Sequence, residues 1–439
     1  MNPEVRDHYQ AEFARIATRL PGAEVAWVRA ARAAALVQFV ALGFPTRQQE
    51  GWKYTSVTPI ENSRFSLRPS AAPRVTAAQV AELALPGALL LVFVDGRHVP
   101  ELSPLDLLPE GVRLTSVAEA LARDPEPLRM LLEGAVGLEA TGFAALNAAF
   151  LADGTCLYLA EDVVLDAPIQ LLFLASEPGI ATHCHNLIRA GTRSSAVVIE
   201  HHVGLGDEAY CTNCITDIAL ASGAQFTHHK LQQESAKAFH IAAVRVKQGQ
   251  DSRFHSGSFA LGGGLVRVDI HVSLDGEGAE CVLDGLYLTS GRQHVDHHTC
   301  VDHAVPRGTS HEFYKGILDG ASRAVFNGKV IVRPDAQQSD AFQTNCNLLL
   351  SEKAEIDTKP QLEIFADDVK CGHGATVGQL DPEQIFYLRS RGLDDAAARG
   401  LLTFAFAAEV IERMPQAALK QRLEALLRGR SPDAVKELL

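Results

Sequence analysis

The middle of the chain alternates between apolar and polar positions. From about residue 87 to residue 376, short runs of Val, Ile, Leu and Phe are separated by Gly, Asp and Ser, as strands are separated by turns. In the run Val266–Leu274, every second residue is apolar and the residues between are polar. Because side chains alternate between the two faces of a strand, this pattern predicts strands with one buried and one hydrated face.

A turn glycine follows an apolar strand end at a nearly regular interval. The glycines of this repeat are Gly191, Gly223, Gly249, Gly276 and Gly308. Sandwiches turn every ~8 to 12 residues, whereas this interval is roughly 30 residues, which suits one coil of a parallel β-helix. The spacing therefore favours a mainly β chain built as a parallel β-helix. Its interior is expected to be packed, with chemistry and partners on the outer faces.

The amino-terminal end of the chain has a helical pattern. Between residues 3 and 40, apolar residues recur at intervals of three and four, which predicts two helices broken near Pro21 and Gly22. A polar stretch, Pro45–Thr55, follows these helices. Its composition is typical of a surface loop with Trp52 packed inward.

The carboxyl-terminal pattern predicts three helices. The first begins at Asp381 with a capping aspartate and a proline, and it ends at Gly392. The second, from about Asp394 to Met414, has a broader apolar surface than one packing stripe needs, so core packing and partner docking both remain open. The third runs over residues 416–428. We therefore predict an N-terminal helical domain (1–86), a β-helix core (87–376) and a C-terminal helical domain (377–439).

Composition narrows the classes of function. Forty Lys and Arg residues against 53 Asp and Glu residues give a net charge of −13, which repels nucleic acid and anionic membranes. The amino terminus lacks the basic start and apolar core of a secretory signal. The longest apolar runs, Leu89–Val94 and Ile169–Ala175, are far shorter than the ~20 residues that cross a bilayer. We expect a cytoplasmic protein with no membrane span, whose cysteines are thiols or ligands rather than disulfides.

The motifs of common enzymes are missing from the sequence. There is no GxxxxGK[ST] loop, no GxSxG elbow and no HExxH pair, and Gly262–Gly264 lies among strands rather than between a strand and a helix. We therefore expect this chain to bind no nucleotide by itself.

Histidine and cysteine are dense between His183 and His311. Cys211 and Cys214 have a spacing that can bind a soft metal, but one CxxC without a second pair is a weak zinc signal. The pairs His201–His202 and His228–His229 are expected to stack on neighbouring coils as a structural ladder.

The run His294–His303 resembles a set of metal ligands. Neighbouring residues of a strand face opposite ways, so His297 and His298 cannot easily serve one site, and a structural ladder is the competing interpretation. If the run does bind metal, it favours an alternative class of function, a β-helix metallohydrolase or carbohydrate lyase.

Cys371 and His373 form the sharpest candidate site. The two residues are two positions apart on a predicted strand and therefore share one face, and the glycines on either side of His373 leave room for a ligand or another chain. Thiolate and imidazole are donors that iron and iron–sulfur clusters accept.

Six runs in the last third of the chain, together with the loop Pro45–Thr55, carry a family resemblance. The runs are Tyr314–Gly320, Arg323–Lys329, Asn347–Ser351, Ile356–Ile364, Cys371–Gly378 and Phe386–Gly392. On these residues the chain resembles the SufB/SufD family of iron–sulfur cluster assembly proteins. The loop and the Cys371–Thr376 segment resemble the SufD branch, because SufB-type sequences carry an acidic version of that segment.

The resemblance implies a right-handed parallel β-helix flanked by helical domains. It implies a non-catalytic scaffold subunit in a complex with one SufB-like paralogue and two SufC-like ATPase subunits. A cysteine desulfurase with a SufE-like or SufU-like carrier would supply sulfur, and apoproteins would accept the clusters. The role implied for this branch is iron entry or nascent cluster binding at the SufB interface. Binding of a reduced flavin and homodimerisation of the isolated chain both remain open.

The resemblance also implies roles for particular residues. His373 matches the histidine that the family requires, and Cys371 matches the neighbouring thiol. Cys346 falls where the SufB branch has its cluster-building cysteine, and a buried thiol without function is the alternative. The residues that correspond to the ATPase-docking region are Leu388, Arg389, Arg391, Phe404 and Phe406.

Overall fold

The strands of the chain form two sheets that face each other. The computed structural model describes residues 3–67, 75–105, 108–129 and 141–430. One sheet has ten strands and the other has nine, and from β4 onward consecutive strands alternate between the two sheets. The strands are β1 (Leu89–Val94), β2 (Arg97–His98), β3 (Val112–Ser116), β4 (Thr155–Leu159), β5 (Ile169–Ala175), β6 (Ala181–Ala190), β7 (Ser195–Gly204), β8 (Cys211–Leu220), β9 (Gln225–Gln233), β10 (Phe239–Gln248), β11 (Arg253–Ala260), β12 (Leu265–Leu274), β13 (Glu280–Thr289), β14 (His294–His303), β15 (Thr309–Leu318), β16 (Arg323–Val332), β17 (Asp340–Leu349), β18 (Glu355–Ile364) and β19 (Lys370–Gly378).

This topology is a parallel β-solenoid. From β5 and β6 onward, successive strands of one sheet pair in parallel, and each begins roughly 30 residues after the one before it. The five glycines of the predicted repeat all lie in the turns that lead from the nine-stranded sheet to the ten-stranded sheet. Their spacing thus measured the coil length, and the β-helix prediction is confirmed.

The lumen, which is the space between the two sheets, holds the main core. The apolar residues of β12 that alternate in the sequence, from Val266 to Leu274, all belong to this buried cluster. Burial of this apolar surface is the main favourable contribution to folding. The lumen is not uniformly apolar, because charged and polar side chains such as Glu200, Lys230 and Glu312 are also buried there.

Most of the amino-terminal helices pack against the outer face of the nine-stranded sheet, while α4 packs on the first strands of the ten-stranded sheet. The helices are α1 (Pro3–Ile16), α2 (Ala26–Leu42), α3 (Thr58–Ser63), α4 (Ala77–Leu83), α5 (Val117–Arg123) and α6 (Gly142–Phe150), with short 3₁₀ turns at Ala17–Arg19, Glu50–Trp52 and Pro100–Leu102. The predicted break near Pro21 and Gly22 separates α1 from α2. Trp52 is buried as expected, stacks on Phe143 and lies 4.3 Å from the Arg267 guanidinium of β12.

The second and third carboxyl-terminal helices pack on the outer face of the ten-stranded sheet. The three helices are α7 (Pro382–Ser390), α8 (Asp395–Ile411) and α9 (Ala417–Arg430), and Asp381 and Asp394 cap the first two. Part of the broad apolar surface of α8 is core, because Ala407, Val410 and Ile411 are buried against this sheet. No helix within the described ranges is both long and apolar enough to span a bilayer. The division of the chain at residues 86 and 376 stays a prediction.

The expected histidine ladder is wrong. The register of β7 and β9 pairs His201 with Leu231 and His202 with Gln232, while His228 pairs with Val198. The cause is the length of this coil. With this length, Leu231, which is three positions after His228, lies beside His201, so the two histidine pairs are not aligned.

Candidate functional site at the last coil of the solenoid

The last coil of the solenoid is exposed at its end. β18 and β19 are the terminal strands of their two sheets. Their residues are half-buried or exposed, in contrast to the buried strands of the preceding coils. A terminal strand presents backbone N–H and C=O groups that can pair with a further strand. This end of the molecule can therefore accept another β-rich surface.

Cys371 and His373 lie on the lumen side of β19. Their register partners on β17 are Ala341 and Gln343, both buried. Paired residues of parallel strands point to the same side of the sheet. Cys371 is half-buried and packs against a small apolar cluster, whereas His373 is exposed. The predicted sharing of one face is therefore consistent with the register, and the imidazole is open to a ligand from outside.

The electrostatics of Cys371 favour the thiol over the thiolate. Burial, followed by the nearby Asp340 carboxylate, raises the pKa of Cys371. A metal or cluster bound there would have to displace the thiol proton, because the thiolate is the ligand form.

Cys346 lies on the other face of the ten-stranded sheet. Its register partner is Thr376, and its neighbours Asn345 and Asn347 point into the lumen, where they hydrogen-bond to each other and to Tyr287. Since alternate residues point to opposite sides, Cys346 is half-buried on the outer face. Within one chain, the strand geometry separates Cys346 from Cys371 and His373.

The surroundings of His373 are partly open and partly apolar. A side chain at Gly374 would meet no atom within 4 Å, whereas a side chain at Gly372 would press on the ring of Phe342. Phe342 and Val377 are each about half exposed, at 47% and 49%. The last coil, through Val377, and the neighbouring strand β17, through Phe342, thus offer apolar contact area as well as strand edges.

A groove of about 440 Å³ lies where the last coil meets the carboxyl-terminal helices. Its walls include Leu350, Ile385, Phe386, Arg389 and Arg399. Phe386 is 74% exposed, and the neighbouring Tyr387 is 56% exposed. Exposed aromatic and arginine side chains are enriched at protein interfaces.

The five residues of the predicted docking region differ in exposure. Arg389 and Arg391 are exposed, and Arg391 lies over the ring of Tyr387. Leu388 is half-buried. Phe404 and Phe406 are half-buried on α8 and pack on the apolar cluster beneath it, so they serve the core in part.

Two buried charges fasten α8 and the turn after it to the ten-stranded sheet. Lys315 of β15 donates to Glu409 and to the carbonyl of Phe406, and its ammonium lies 4.0 Å from the Phe406 ring. Asp284 of β13 accepts from Arg413 at 2.7 Å and pairs with His255. Lys315 and Asp284 are nearly inaccessible to water, so loss of either contact would leave a buried charge without its partner, which is strongly destabilising.

The run His294–His303 is divided between the two faces of β14. His297 is buried in the lumen, where it contacts Ser258 and stacks on Tyr287. His298 is half-buried on the outer face beside Asp296. The structure therefore places His297 and His298 on opposite faces of the sheet, as the alternation predicted.

The predicted CxxC pair is also divided between two faces. Cys211 belongs to the cluster under the amino-terminal helices, and Cys214 belongs to the lumen core. Burial raises the pKa of both thiols.

A second polar cluster was missed in the sequence. We call it the polar chamber; it lies in the lumen on β7, β8 and β9 and contains Glu200, His202, Cys214, Thr216, His228 and Lys230. Ligand atoms of Glu200, His202 and Cys214 lie within 4.8 Å of one another. The expectation that chemistry would lie on the outer faces did not anticipate this group. The one local signal is the presence of Glu200 and His202 two positions apart on a strand.

Comparison with known proteins agrees with this architecture. Residues 173–406 match the family described as SUF system FeS cluster assembly, SufBD core domain, and residues 3–171 match the SufBD protein N-terminal region. The fold and the matches define a solenoid scaffold of the iron–sulfur assembly class, and the chain belongs to the SufBD family.

Relatives of known name make the assignment more specific. The chain is 35% identical to the iron–sulfur cluster assembly protein SufD of Escherichia coli over 402 residues, which cover 91% of this chain and 92% of that protein. It is 34% identical to a SufBD family iron–sulfur cluster assembly protein of Synechocystis, covering 87% and 86% of the two chains. The chain is thus a homologue of SufD.

Proposed function

We propose that this chain is the SufD-like scaffold subunit of a cytoplasmic complex with one SufB-like paralogue and two SufC-like ATPase subunits. The observation that carries the proposal is the exposed last coil, which presents His373 together with two strand edges and apolar residues. A paralogue with the same fold offers a matching coil. Pairing of two such ends would bury the exposed apolar residues and satisfy the strand edges.

The chemistry at this interface would be iron entry or binding of a nascent cluster. His373 and Cys371 supply an imidazole and a thiol, and the partner would supply the remaining ligands. A site that few ligands hold can release its cluster to an apoprotein. Cys346, on the outer face, could take part only through a different surface of the partner.

The ATPase subunits would dock on the groove formed with α7 and α8. Arg389, Arg391 and Leu388 lie on or next to α7, near the exposed Phe386 and Tyr387. ATP-driven closing of the two ATPase subunits would pull on α8. The buried contacts of Lys315 and Asp284 would carry this pull to the sheet and shift the last coil.

The other components follow from the same assignment. This subunit would be non-catalytic, and the ATPase subunits would hydrolyse ATP. Sulfur would arrive from a cysteine desulfurase through a SufE-like or SufU-like carrier, and apoproteins would accept the cluster.

Native mass spectrometry tests the proposal. The chain is purified without oxygen from its own cytosol at natural expression, and the mass of the intact assembly is measured. Recovery with a paralogue and two ATPase subunits is expected. Recovery of this chain alone, whatever metal it carries, would overturn the proposal.

A pair of variants tests whether the paralogue binds at the last coil. Val377→Asp, on the last coil, is expected to lose the paralogue and retain the ATPase subunits. Val37→Asp is the matched control, because Val37 is 69% exposed on α2, far from the last coil along the sequence. Loss of the paralogue from both variants, or from neither, would contradict this placement.

A further inference from the structure

The polar chamber holds donors of three kinds in a site closed to solvent. Glu200, His202 and Cys214 are each at most 1% exposed. A carboxylate, an imidazole and a thiolate together are donors for a divalent transition-metal ion of borderline softness, such as Fe²⁺, Zn²⁺ or Co²⁺. The three ligand atoms lie within 4.8 Å of one another, a separation that one ion can bridge.

A cation already occupies the centre of this group. The Lys230 ammonium lies 3.0 Å from Glu200 Oε2 and 3.0 Å from His202 Nε2. Glu200 Oε2 also lies 3.3 Å from His202 Nε2, so the ammonium, the carboxylate and the imidazole nitrogen meet at one point in the chamber. The position of Lys230 therefore marks a point where positive charge is stabilised.

The buried charges in and beside the chamber have an excess of negative groups, which a further cation would neutralise. Next to the chamber, Glu234 pairs with His240, whose ring lies 4.8 Å from that of His202. Among the described residues, the ion pairs of Glu200 and Glu234 involve one lysine, Lys230, and otherwise histidines. Two buried carboxylates thus face one permanent cation, and uncompensated buried charge is costly.

We propose that Glu200, His202 and Cys214 form an internal binding site for one divalent transition-metal ion, in competition with the Lys230 ammonium. Binding forms metal–oxygen, metal–nitrogen and metal–sulfur bonds, while the Cys214 S–H bond breaks and its proton leaves to solvent. Lys230 withdraws from the centre. The metal keeps its oxidation state, so no oxidant or reductant is needed.

This site is separate from the last coil. β7 and β19 are six strand spacings apart in one sheet, which corresponds to about 29 Å at about 4.8 Å per spacing. The inference therefore does not depend on the proposed scaffold function. Failure of either proposal leaves the other intact.

Cobalt substitution tests the site. The full chain is produced in minimal medium that contains Co²⁺, so that the metal can enter before the chamber closes, and it is purified without oxygen. We expect one cobalt per chain and a thiolate-to-cobalt charge-transfer absorption. Cys214→Ser removes that absorption. Cys281→Ser, which changes another buried lumen thiol, and Cys371→Ser, at the last coil, leave it unchanged.

Two further measurements keep the test decisive if Cys214→Ser does not fold. X-ray absorption at the cobalt edge of the unmodified chain should show one sulfur ligand together with nitrogen and oxygen ligands. Lys230→Met removes the competing ammonium and should raise cobalt occupancy at limiting metal. Absence of cobalt from the unmodified chain, a coordination shell without sulfur, or an absorption that depends on Cys371 instead of Cys214 would overturn the proposal.

Discussion

His373 of β19 is the register partner of Gln343 of β17, so the imidazole lies on the lumen side of the sheet at the terminal strand of the described coils. Gln343 is buried and His373 is exposed. Along this row of inward-pointing residues, the side chain is therefore buried on β17 and exposed on the next strand of the sheet, β19.

Replacement of His373 should leave assembly of the protein complex intact while it prevents formation of iron–sulfur clusters. His373→Ala removes a donor from an exposed position, so we expect the complex to remain intact while cluster maturation falls to the level of cells that lack the chain. The measurement is the activity of a cluster-dependent enzyme in cells, alongside recovery of the complex. His311→Ala, which changes an exposed histidine on the outer face of the same sheet, should leave activity normal. Normal activity in His373→Ala would refute the site.

Polar replacement of Phe404 and Phe406 should release the ATPase subunit while the solenoid still folds. Both rings are half-buried on α8, so we also expect a lower melting temperature. Phe386→Ser with Tyr387→Ser should weaken binding of the ATPase subunit without that loss, since exposed substitutions usually change stability by less than about 0.5 kcal/mol. A sizing column measures release, and circular dichroism measures folding. Retention of the ATPase subunit by both double variants would show that docking uses another surface.

The Glu200–Lys230 pair should show strong energetic coupling in the metal-free chain. Lys230→Met leaves a buried carboxylate without its main cation, so we expect a loss of about 3 to 5 kcal/mol in the free energy of unfolding. Addition of Glu200→Gln removes the charge and should recover part of that loss. Denaturant unfolding of the two single variants and the double variant measures the coupling. Additive losses would mean that the pair is not coupled.

Ionisation of Glu312 should lower the free energy of unfolding of the chain as the pH rises. Burial raises the pKa of Glu312 to about 7, from an ordinary value of 4.5. The folded state therefore holds a proton that the unfolded state releases. The resulting stabilisation is complete below pH 4.5 and is lost as the pH rises to about 7, which amounts to about 3 kcal/mol.

Glu312→Gln should flatten this pH dependence. The variant keeps the shape of the side chain without its charge, so its free energy of unfolding should change less between pH 5 and pH 8 than that of the unmodified chain. Glu355→Gln, on the exposed first position of β18, is the control and should keep the original slope. An unchanged slope in Glu312→Gln would place the pKa of Glu312 near its ordinary value.

The coil architecture could be predicted from the sequence because each coil repeats the same local features, a turn glycine and alternating apolar residues. Gly191, Gly223 and their successors mark one corner of each coil, and alternation such as that of Val266–Leu274 marks the inward positions. The helical ends were equally visible, since a break at Pro21 and Gly22 and a cap at Asp381 depend on neighbouring residues alone.

The polar chamber could not be predicted, because its contacts depend on the register between coils. Glu200 lies on β7, whereas Cys214 and Lys230 lie on the next two strands of the chain, β8 and β9. The coils differ from one another in length by several residues, which changes which side chains become neighbours, so a sequence pattern cannot fix the pairs. The same uncertainty led to the wrong stacking of His201–His202 on His228–His229.

The alternation of consecutive strands between two sheets sets a rule for how such a chain can change length in evolution. Insertion or deletion of two strands keeps every later strand in its own sheet and moves the last coil along the axis by one spacing, about 4.8 Å. Insertion or deletion of a single strand would place every later strand in the opposite sheet. The surface under α8, with Lys315 and Asp284, would then lie on the opposite side of the molecule from its helices. Length variants of this architecture should therefore differ by whole coils, an even number of strands at a time.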